Sequence, residues 1–142
     1  MKSNTHDLYQ MVYIMTDNDI RIKIATLCGF TNIHEASREE ALEMSAFMGE
    51  DSHIGMIIGV PSPEQSHYYN RTMEIPDYPN DLNAVYQAEK HLVNDSNEIS
   101  WIDNLALSCP SKDYHNTRGM LQTTARQRSE ALILTFSELC DN

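Results

Sequence analysis

Cysteine is scarce in this sequence of 142 residues, and its few positions are far apart. Cys28, Cys109 and Cys140 form no pair with the short spacing of a zinc ligand set or a redox motif. An odd number of separated cysteines also argues against a disulfide framework. We therefore expect buried thiols in a reducing compartment and no metal site.

Long hydrophobic runs are absent as well. The longest apolar stretch, residues 54–60, is far shorter than the roughly 20 residues that a membrane-spanning helix needs. Residues 1–7 are polar and carry a single lysine, which is not the pattern of a secretion signal. The sequence therefore predicts a cytoplasmic protein that makes no contact with membranes.

Positive charge is in short supply. The chain has 10 lysines and arginines against 21 acidic residues, which gives a formal net charge of −11. Such a charge repels phosphate backbones, so direct nucleic-acid binding is not expected. The negative charge suits solubility, a basic protein partner, or mimicry of nucleic-acid charge. It is concentrated in residues 35–51, an acidic helical insertion that is either a solvated face or a docking surface for a basic partner.

Recognisable catalytic motifs are missing too. The sequence contains no glycine-rich phosphate loop, no nucleophile elbow and no zinc-protease helix. Its six histidines are spread singly, and no two lie four residues apart, as two ligands on one helix face would. We therefore predict a protein that is not an enzyme and that uses no metal or cofactor.

The apolar residues that are present predict one α+β domain over residues 1–142. A small antiparallel sheet of two to four strands is expected between helices, as an α/β/α sandwich. Apolar spacing and capping residues place the helices at residues 8–15, 19–28, 37–48, 80–93, 96–107 and 120–139. Two apolar or alternating runs place strands at residues 53–60 and 69–75, paired through the proline-containing loop between them.

Several helix boundaries have clear capping signals. The helix at 19–28 has its N-cap candidates in residues 17–19 and a C-terminal glycine, Gly29. Ser37 and Glu40 form a capping box, and Asn80 or Asp81 caps the helix that follows Pro79. Residues 1–17 are a candidate N-terminal extension, in which Leu8, Met11, Val12 and Met15 form an apolar stripe that either packs on the domain or joins a homodimer.

One carboxylate occupies an unusual position. On a helical wheel, Glu89 falls within the apolar stripe of its helix, whose other members are Leu82, Val85, Tyr86, Leu92 and Val93. A buried carboxylate needs a partner, so we predict an ion pair with Arg128 on the last helix, or failing that with Arg126. The pair either fixes the register of two helices or forms part of a ligand pocket. The helix at 96–107 is expected to bury Ile99, Ile102, Leu105 and Ala106.

A small-ligand site is a second interpretation of the same region. Aromatic rings stack on nucleobases and arginines bind phosphates, so the candidate ligand-binding residues are Tyr78, Trp101, Arg126 and Arg128. The expected ligand would be nucleotide-like.

Three segments resemble the phage ABA sandwich domain family. The segments are Pro76–Tyr78 with Asn80–Ala84, Glu89 and Leu92; Thr124–Ala131; and Ile20–Phe30, and together they cover about half of the chain in the family's order. The resemblance implies a compact α–β–α sandwich encoded by bacteriophages, with no assigned activity and no catalytic residues. The N-terminal segment and residues 35–51 depart from that pattern.

The resemblance and the composition together give the expected function. The first hypothesis is a non-enzymatic phage accessory protein in the host bacterial cytoplasm, which binds a host protein or counters a defence system. The alternative is a protein that sequesters a nucleotide-like signal. An enzyme with an unrecognised carboxylate pair among Asp77, Asp81 and Glu89 is the third hypothesis.

Overall fold

The chain folds as an α+β domain with a small antiparallel sheet, as the sequence predicts. The computed structural model describes residues 10–48, 56–63, 71–108 and 123–140. A single helical turn at 10–13 precedes the longer elements. In chain order these are α1 (Asp17–Leu27), β1 (Thr31–Glu35), α2 (Arg38–Met48), β2 (Ile57–Val60), β3 (Met73–Glu74), α3 (Leu82–Leu92), α4 (Glu98–Ser108) and α5 (Ala125–Cys140).

The sheet has the order β1-β2-β3, with both pairs antiparallel. β2 is the central strand, and Ile57 and Ile58 on its opposite faces are both buried. This explains why its sequence is continuously apolar rather than alternating. The predicted pairing of the two runs is confirmed as that of β2 with β3, and it extends past β3 because the Ile75 N–H donates to the Ile57 carbonyl at 2.9 Å. Both strands are shorter than predicted, and residues 53–55 and 69–70 lie outside the described residues.

β1 has no counterpart among the individually predicted strands. Its sequence is polar, because it is an edge strand whose side chains are exposed or only half-buried. Its register against β2 shifts between Thr31 and His34, and Asn32 takes the left-handed conformation at φ 51°. An irregular, exposed edge strand has little hydrophobic periodicity for sequence analysis to detect.

α5 is the helix on which the others are assembled. It packs against α1, α3 and α4, and residues 131–137 are buried on all sides of the helix. Ala125, Leu132 and Phe136, which fall on one apolar stripe of this helix, are buried. No described helix is long and apolar enough to cross a bilayer.

The predicted apolar faces of α3 and α4 need correction. Ile99 is 75% exposed and Ile102 is also exposed, because α4 instead turns Asn104 and Leu105 inward. The Asn104 side chain donates to the Thr135 hydroxyl of α5 at 2.9 Å, a buried polar contact that accompanies the packing of Leu105 in the interior. On α3, Leu82 and Tyr86 are more than one-third exposed, and the buried residues are Val85, Ala88 and Glu89.

The helix caps agree with the sequence except at α1. The N-cap of α1 is Thr16, which forms a capping box with Asp19, rather than any of residues 17–19. The box between Ser37 and Glu40 is present, with two reciprocal bonds of 3.1 and 3.2 Å. Gly29 follows α1 at φ 94°, a conformation that favours glycine.

The candidate N-terminal extension is in part core. Val12 is 1% exposed and belongs to the main hydrophobic cluster, with Met15 packed against it. Met11 is half-exposed, and Leu8 lies outside the described residues. Residues 10–17 are therefore part of the domain.

A pH-dependent contact joins β1 to α2. His34 contacts the Glu40 carboxylate through Nε2 and the Asn32 carbonyl through Nδ1, both at 2.7 Å. Both partners are acceptors, so both bonds form only when the imidazole is protonated. The bond to Glu40, followed by the bond to Asn32, raises the pKa of His34 above its ordinary value. This contribution to stability is complete between pH about 4.5 and pH about 6.5. It is lost as the pH rises through the raised pKa of His34, and also as the pH falls through the lowered pKa of Glu40.

We expect Glu40→Gln to lower the pKa of His34 toward its ordinary value, because glutamine removes the carboxylate and keeps the capping box. Histidine titration by NMR measures this shift directly. Urea unfolding at pH 5.5 and pH 8.5 should show that the variant loses more stability, relative to the wild type, at the lower pH. An unchanged pKa of His34 in the variant would contradict this assignment.

Candidate ligand-binding groove

An open groove of about 620 Å³ lies between α3 and the segments that lead into and out of the sheet. We call it the Tyr78 groove. It is lined by Phe30, Pro61, Met73, Pro76, Tyr78, Ala84, Gln87, Ala88, Lys90 and His91.

One wall of the groove is a single face of α3. Ala84, Gln87, Ala88 and His91 follow one another at i, i+3, i+4 and i+7, which places them in one row along the helix. Lys90 stands beside that row in the last turn. Two of the four side chains in the row are the methyl groups of alanines, so this wall of the groove takes up little space.

The opposite wall comes from three separate parts of the chain. Phe30 follows α1, Pro61 follows β2, and Met73 lies in β3. Pro76 and Tyr78 belong to the connection between β3 and α3. Phe30, Pro61, Met73 and Tyr78 make up an apolar floor, in which Met73 is half-buried and the other three expose little surface. The polar residues of α3 are exposed at the rim.

A side chain of α1 holds the segment between β3 and α3 that carries Tyr78. Arg21 donates to the Ile75 carbonyl and, through Nε at 3.4 Å, to the Pro76 carbonyl. It also lies 3.6 Å from the Glu74 carboxylate. A side chain from α1 thus binds two successive carbonyl groups of an irregular segment and restrains its path.

A second set of contacts holds the far end of the same connection. The Asn80 amide donates to Asp77 at 3.0 Å and to Asp17 of α1 at 3.1 Å. Asp17 in turn accepts from Arg126 of α5 at 2.7 Å. The hydrogen bonds from Asn80 and Arg126 lower the pKa of Asp17, so its carboxylate stays ionised near neutral pH. Asp81 caps α3 by accepting from the N–H groups of Asn83 and Ala84.

Tyr78 is held in its neutral form. Burial, followed by the neighbouring Cys28 thiol, raises the pKa of Tyr78 well above its ordinary value. Cys28 is itself a buried thiol, as predicted. A phenol that does not ionise brings no charge to the groove.

The charge of the groove is opposite to that of the chain. None of its described lining residues is acidic, although acidic residues outnumber basic ones by 21 to 10 in the sequence. Lys90 and His91 are exposed at its rim, and no ion pair engages either of them among the described residues. The groove therefore combines an apolar floor with a small basic rim.

The predicted contact between Glu89 and Arg128 is present. Arg128 donates from Nε and Nη2 to the two carboxylate oxygens of Glu89, at 2.6 and 2.7 Å. Its Nη1 donates to the Thr123 hydroxyl at 3.0 Å. The guanidinium also lies over the rings of Tyr86 and Trp101, 4.9 and 5.7 Å from their centres. Glu89 is 7% exposed, so this is a buried, two-pronged pair with cation–π support.

The four sequence-predicted ligand residues do not converge on one pocket. Tyr78 lines the groove, whereas Trp101 stacks with Arg128 away from the groove lining. Arg126 binds Asp17, Glu130 and the carbonyls of Met15 and Tyr13. Both arginines therefore serve contacts within the protein. The carboxylates of the enzyme hypothesis also lie outside the groove lining, because Asp77 holds Asn80, Asp81 caps α3 and Glu89 pairs with Arg128.

The residues that sequence reasoning missed are those of the α3 wall. Ala84, Gln87 and His91 share a helix face, but their mixed small and polar character gives no apolar stripe. The available signal was the adjacent pair Lys90 and His91, which stands out in an acidic chain. Among the described residues, no group of three or more histidine, cysteine or acidic side chains could hold a metal ion.

We expect Glu89→Gln to lower the free energy of unfolding by about 3–5 kcal/mol, because it leaves the buried Arg128 charge without its counterion. The double variant Glu89→Leu, Arg128→Met should be much closer to the wild type, since it removes both charges together. Urea unfolding at pH 7 measures the free energy of unfolding of the wild type and of both variants.

Glu74→Gln is the matched control, because it removes a half-exposed carboxylate that lies 3.6 Å from Arg21. It should cost less than about 1 kcal/mol. If Glu89→Gln proved no more destabilising than this control, the Glu89–Arg128 pair would not hold the helices together.

A scan against protein-family models found no match, and searches of curated proteins and solved structures found no significant match either. The likeness to the phage ABA sandwich domain family therefore stays a prediction from the sequence segments.

Proposed function

We propose that this chain is a non-enzymatic binding protein that sequesters a small molecule in the Tyr78 groove. The observation that carries the proposal is the groove itself. Its volume of about 620 Å³ falls within the roughly 300–1,000 Å³ range of ligand pockets. Its lining combines apolar side chains with the polar groups of Gln87, Lys90 and His91, so a ligand could make both apolar and polar contacts there.

The anchoring of the groove supports binding by a preformed site. Arg21 restrains one end of the Tyr78 connection, and Asn80 restrains the other through Asp17. The α3 wall is fixed to α5 by the Glu89–Arg128 pair. A wall that is already ordered loses little conformational entropy when a ligand arrives, which favours affinity.

The residues of the groove favour binding over catalysis. Covalent and acid–base chemistry need a nucleophile or base whose partner lies within hydrogen-bond reach. No carboxylate, serine or cysteine is among the described lining residues, and no ion pair among the described residues engages the histidine or lysine that line it, His91 and Lys90. Tyr78 is kept neutral by burial, and the acidic residues nearest in sequence are engaged in structural contacts.

The resemblance to bacteriophage proteins suggests where such binding would be useful. An accessory protein that holds a small signalling molecule would deprive a bacterial defence system of it. We place the proposed activity in the cytoplasm of an infected host on that basis. The resemblance comes from the sequence segments, and the groove is an independent argument.

A protein-binding role is the second candidate, favoured by the outer face of α4. Ile99, Ile102 and Leu107 are exposed there, next to Glu98 and Asp103. Exposed apolar side chains grouped with acidic ones are typical of surfaces that bind proteins with basic, partly apolar counterparts. A host protein of that kind would fit the negative charge of the whole chain.

We expect Ala84→Phe to fill the centre of the Tyr78 groove and abolish ligand binding while the fold is retained, because Ala84 is only half-buried. A ligand present at about 100 times its dissociation constant stabilises the wild type by about 2.7 kcal/mol. Thermal-shift screening with a panel of nucleotides, aromatic acids, fatty acids and neutral compounds measures this effect.

Ala106→Phe on α4 is the matched control, since Ala106 is also half-buried and lies outside the groove. It should keep every thermal shift that the wild type shows. A panel without any stabilising compound, or an Ala84→Phe variant that retains the shifts, would rule out the groove as the binding site.

The second candidate makes a separate prediction. Ile99→Glu should abolish capture of a host protein by the immobilised chain, because it places a charge at the centre of the exposed apolar group. Ile22→Glu, at an exposed position of α1, should leave capture unchanged. Capture that both variants retain equally would exclude the α4 face as the contact.

A further inference from the structure

We infer that the occupant of the Tyr78 groove is a small amphiphile, with an apolar body on the groove floor and one anionic group at Lys90 and His91. The inference rests on the proposed binding function and adds the chemical class of the ligand. It differs from the nucleotide-like ligand that the sequence suggested.

The distribution of charge supports an anionic group. A site for a cation in this chain would be easy to build from its many carboxylates, yet the described lining of the groove contains none. Lys90 and His91 instead stand side by side at the rim, unengaged by any described acid. The overall negative charge repels anions at a distance, so local attraction at these two residues must hold the anionic group.

The position of the basic pair limits how strong that attraction is. Both residues lie in the last turn of α3, where the helix dipole is negative and favours cations. The favourable interaction of these two side chains with the helix dipole therefore reduces the attraction that they exert on a ligand. We expect a contribution of about fivefold to affinity from Lys90, which is typical of an exposed charge pair.

The floor of the groove supports an apolar body. Phe30, Pro61 and Tyr78 are buried there, and Met73 adds an adaptable thioether. Met73, Pro76 and Ala84 are half-buried, and they offer apolar surface to a ring or an alkyl chain.

The same floor offers few hydrogen-bond partners. Pro61 and Pro76 have no N–H group. The Pro76 carbonyl already accepts from the Tyr78 N–H at 3.0 Å and from Arg21. A ribose and nucleobase placed here would give up hydrogen bonds to water without replacement, which disfavours a nucleotide. Gln87 at the rim has an uncharged amide that can donate a hydrogen bond to the anionic group and so orient it.

The test uses four probes of known chemistry: 2-naphthoate, decanoate, uncharged 2-naphthamide and AMP. We expect one or both of the apolar anions to bind, with NMR shifts at Tyr78 and His91. The amide should bind at least fivefold more weakly than the apolar anion that binds. AMP, whose ribose and base are polar, should also bind more weakly than that apolar anion. Binding of naphthoate points to an aromatic acid as the natural ligand, and binding of decanoate points to an acyl chain.

Lys90→Gln should weaken binding of the bound anion about fivefold. Lys23→Gln, an exposed lysine of α1 outside the groove, should change it less than twofold. Lys90→Arg should restore wild-type affinity, which separates loss of charge from any weakening of the helix end. Equal effects of the Lys90→Gln and Lys23→Gln variants would overturn the role of the basic rim.

Two outcomes distinguish this inference from the proposed function. If AMP or the amide binds in the groove as tightly as naphthoate, the ligand class is wrong and the groove remains a binding site. If none of the four probes or the wider screening panel shifts Tyr78 and His91, both the ligand class and the binding function fail.

Discussion

The buried pair between Glu89 and Arg128 is the interaction on which the architecture depends. Removing two charges from water is unfavourable, and such a pair persists only with matched geometry and additional partners. Here both carboxylate oxygens are engaged, and Thr123 and two aromatic rings surround the guanidinium. Because the pair joins α3 to α5, and α5 contacts most other helices, it fixes the rotation of α3 within the domain. That rotation decides which residues of α3 face the groove.

The other arginines near the groove perform a related structural task. Arg21 binds carbonyls of the connection before Tyr78, and Arg126 joins α5 to Asp17 and to the N-terminal carbonyls. Arg21 and Arg126 donate to backbone carbonyls, and Arg128 donates to the side chains of Glu89 and Thr123, so all three guanidinium groups serve contacts within the protein. Lys90 and His91 are in a different situation, since no described ion pair engages them. This contrast is the main reason for assigning recognition to the lysine and histidine rather than to the arginines.

Sequence periodicity predicted the features that depend on one helix at a time. The placement of α3 and α5 and the inward position of Glu89 follow from helical spacing alone, and a buried carboxylate then requires a cation. The exposed Ile99 could not be predicted, because the inward face of α4 includes a polar residue, Asn104, whose partner Thr135 lies on another helix and cannot be found from the spacing within α4. β1 was missed because an irregular edge strand has no apolar pattern. The groove was missed for a further reason: its walls come from segments far apart in sequence, so no local pattern describes it.

The two faces of α3 link stability to recognition. Val85 and Glu89 point to the core, Ala84 and His91 point to the groove, and Ala88 lies at the boundary between the faces. A ligand in the groove binds only the folded arrangement of these faces, so it stabilises the register that the ion pair sets. The reverse also holds by linkage: any change that loosens α3 against α5 reduces the fraction of molecules with a formed groove and lowers apparent affinity by that fraction. A variant far from the ligand can therefore weaken binding without touching it, and only variants on the groove face, compared at equal stability, report on recognition itself.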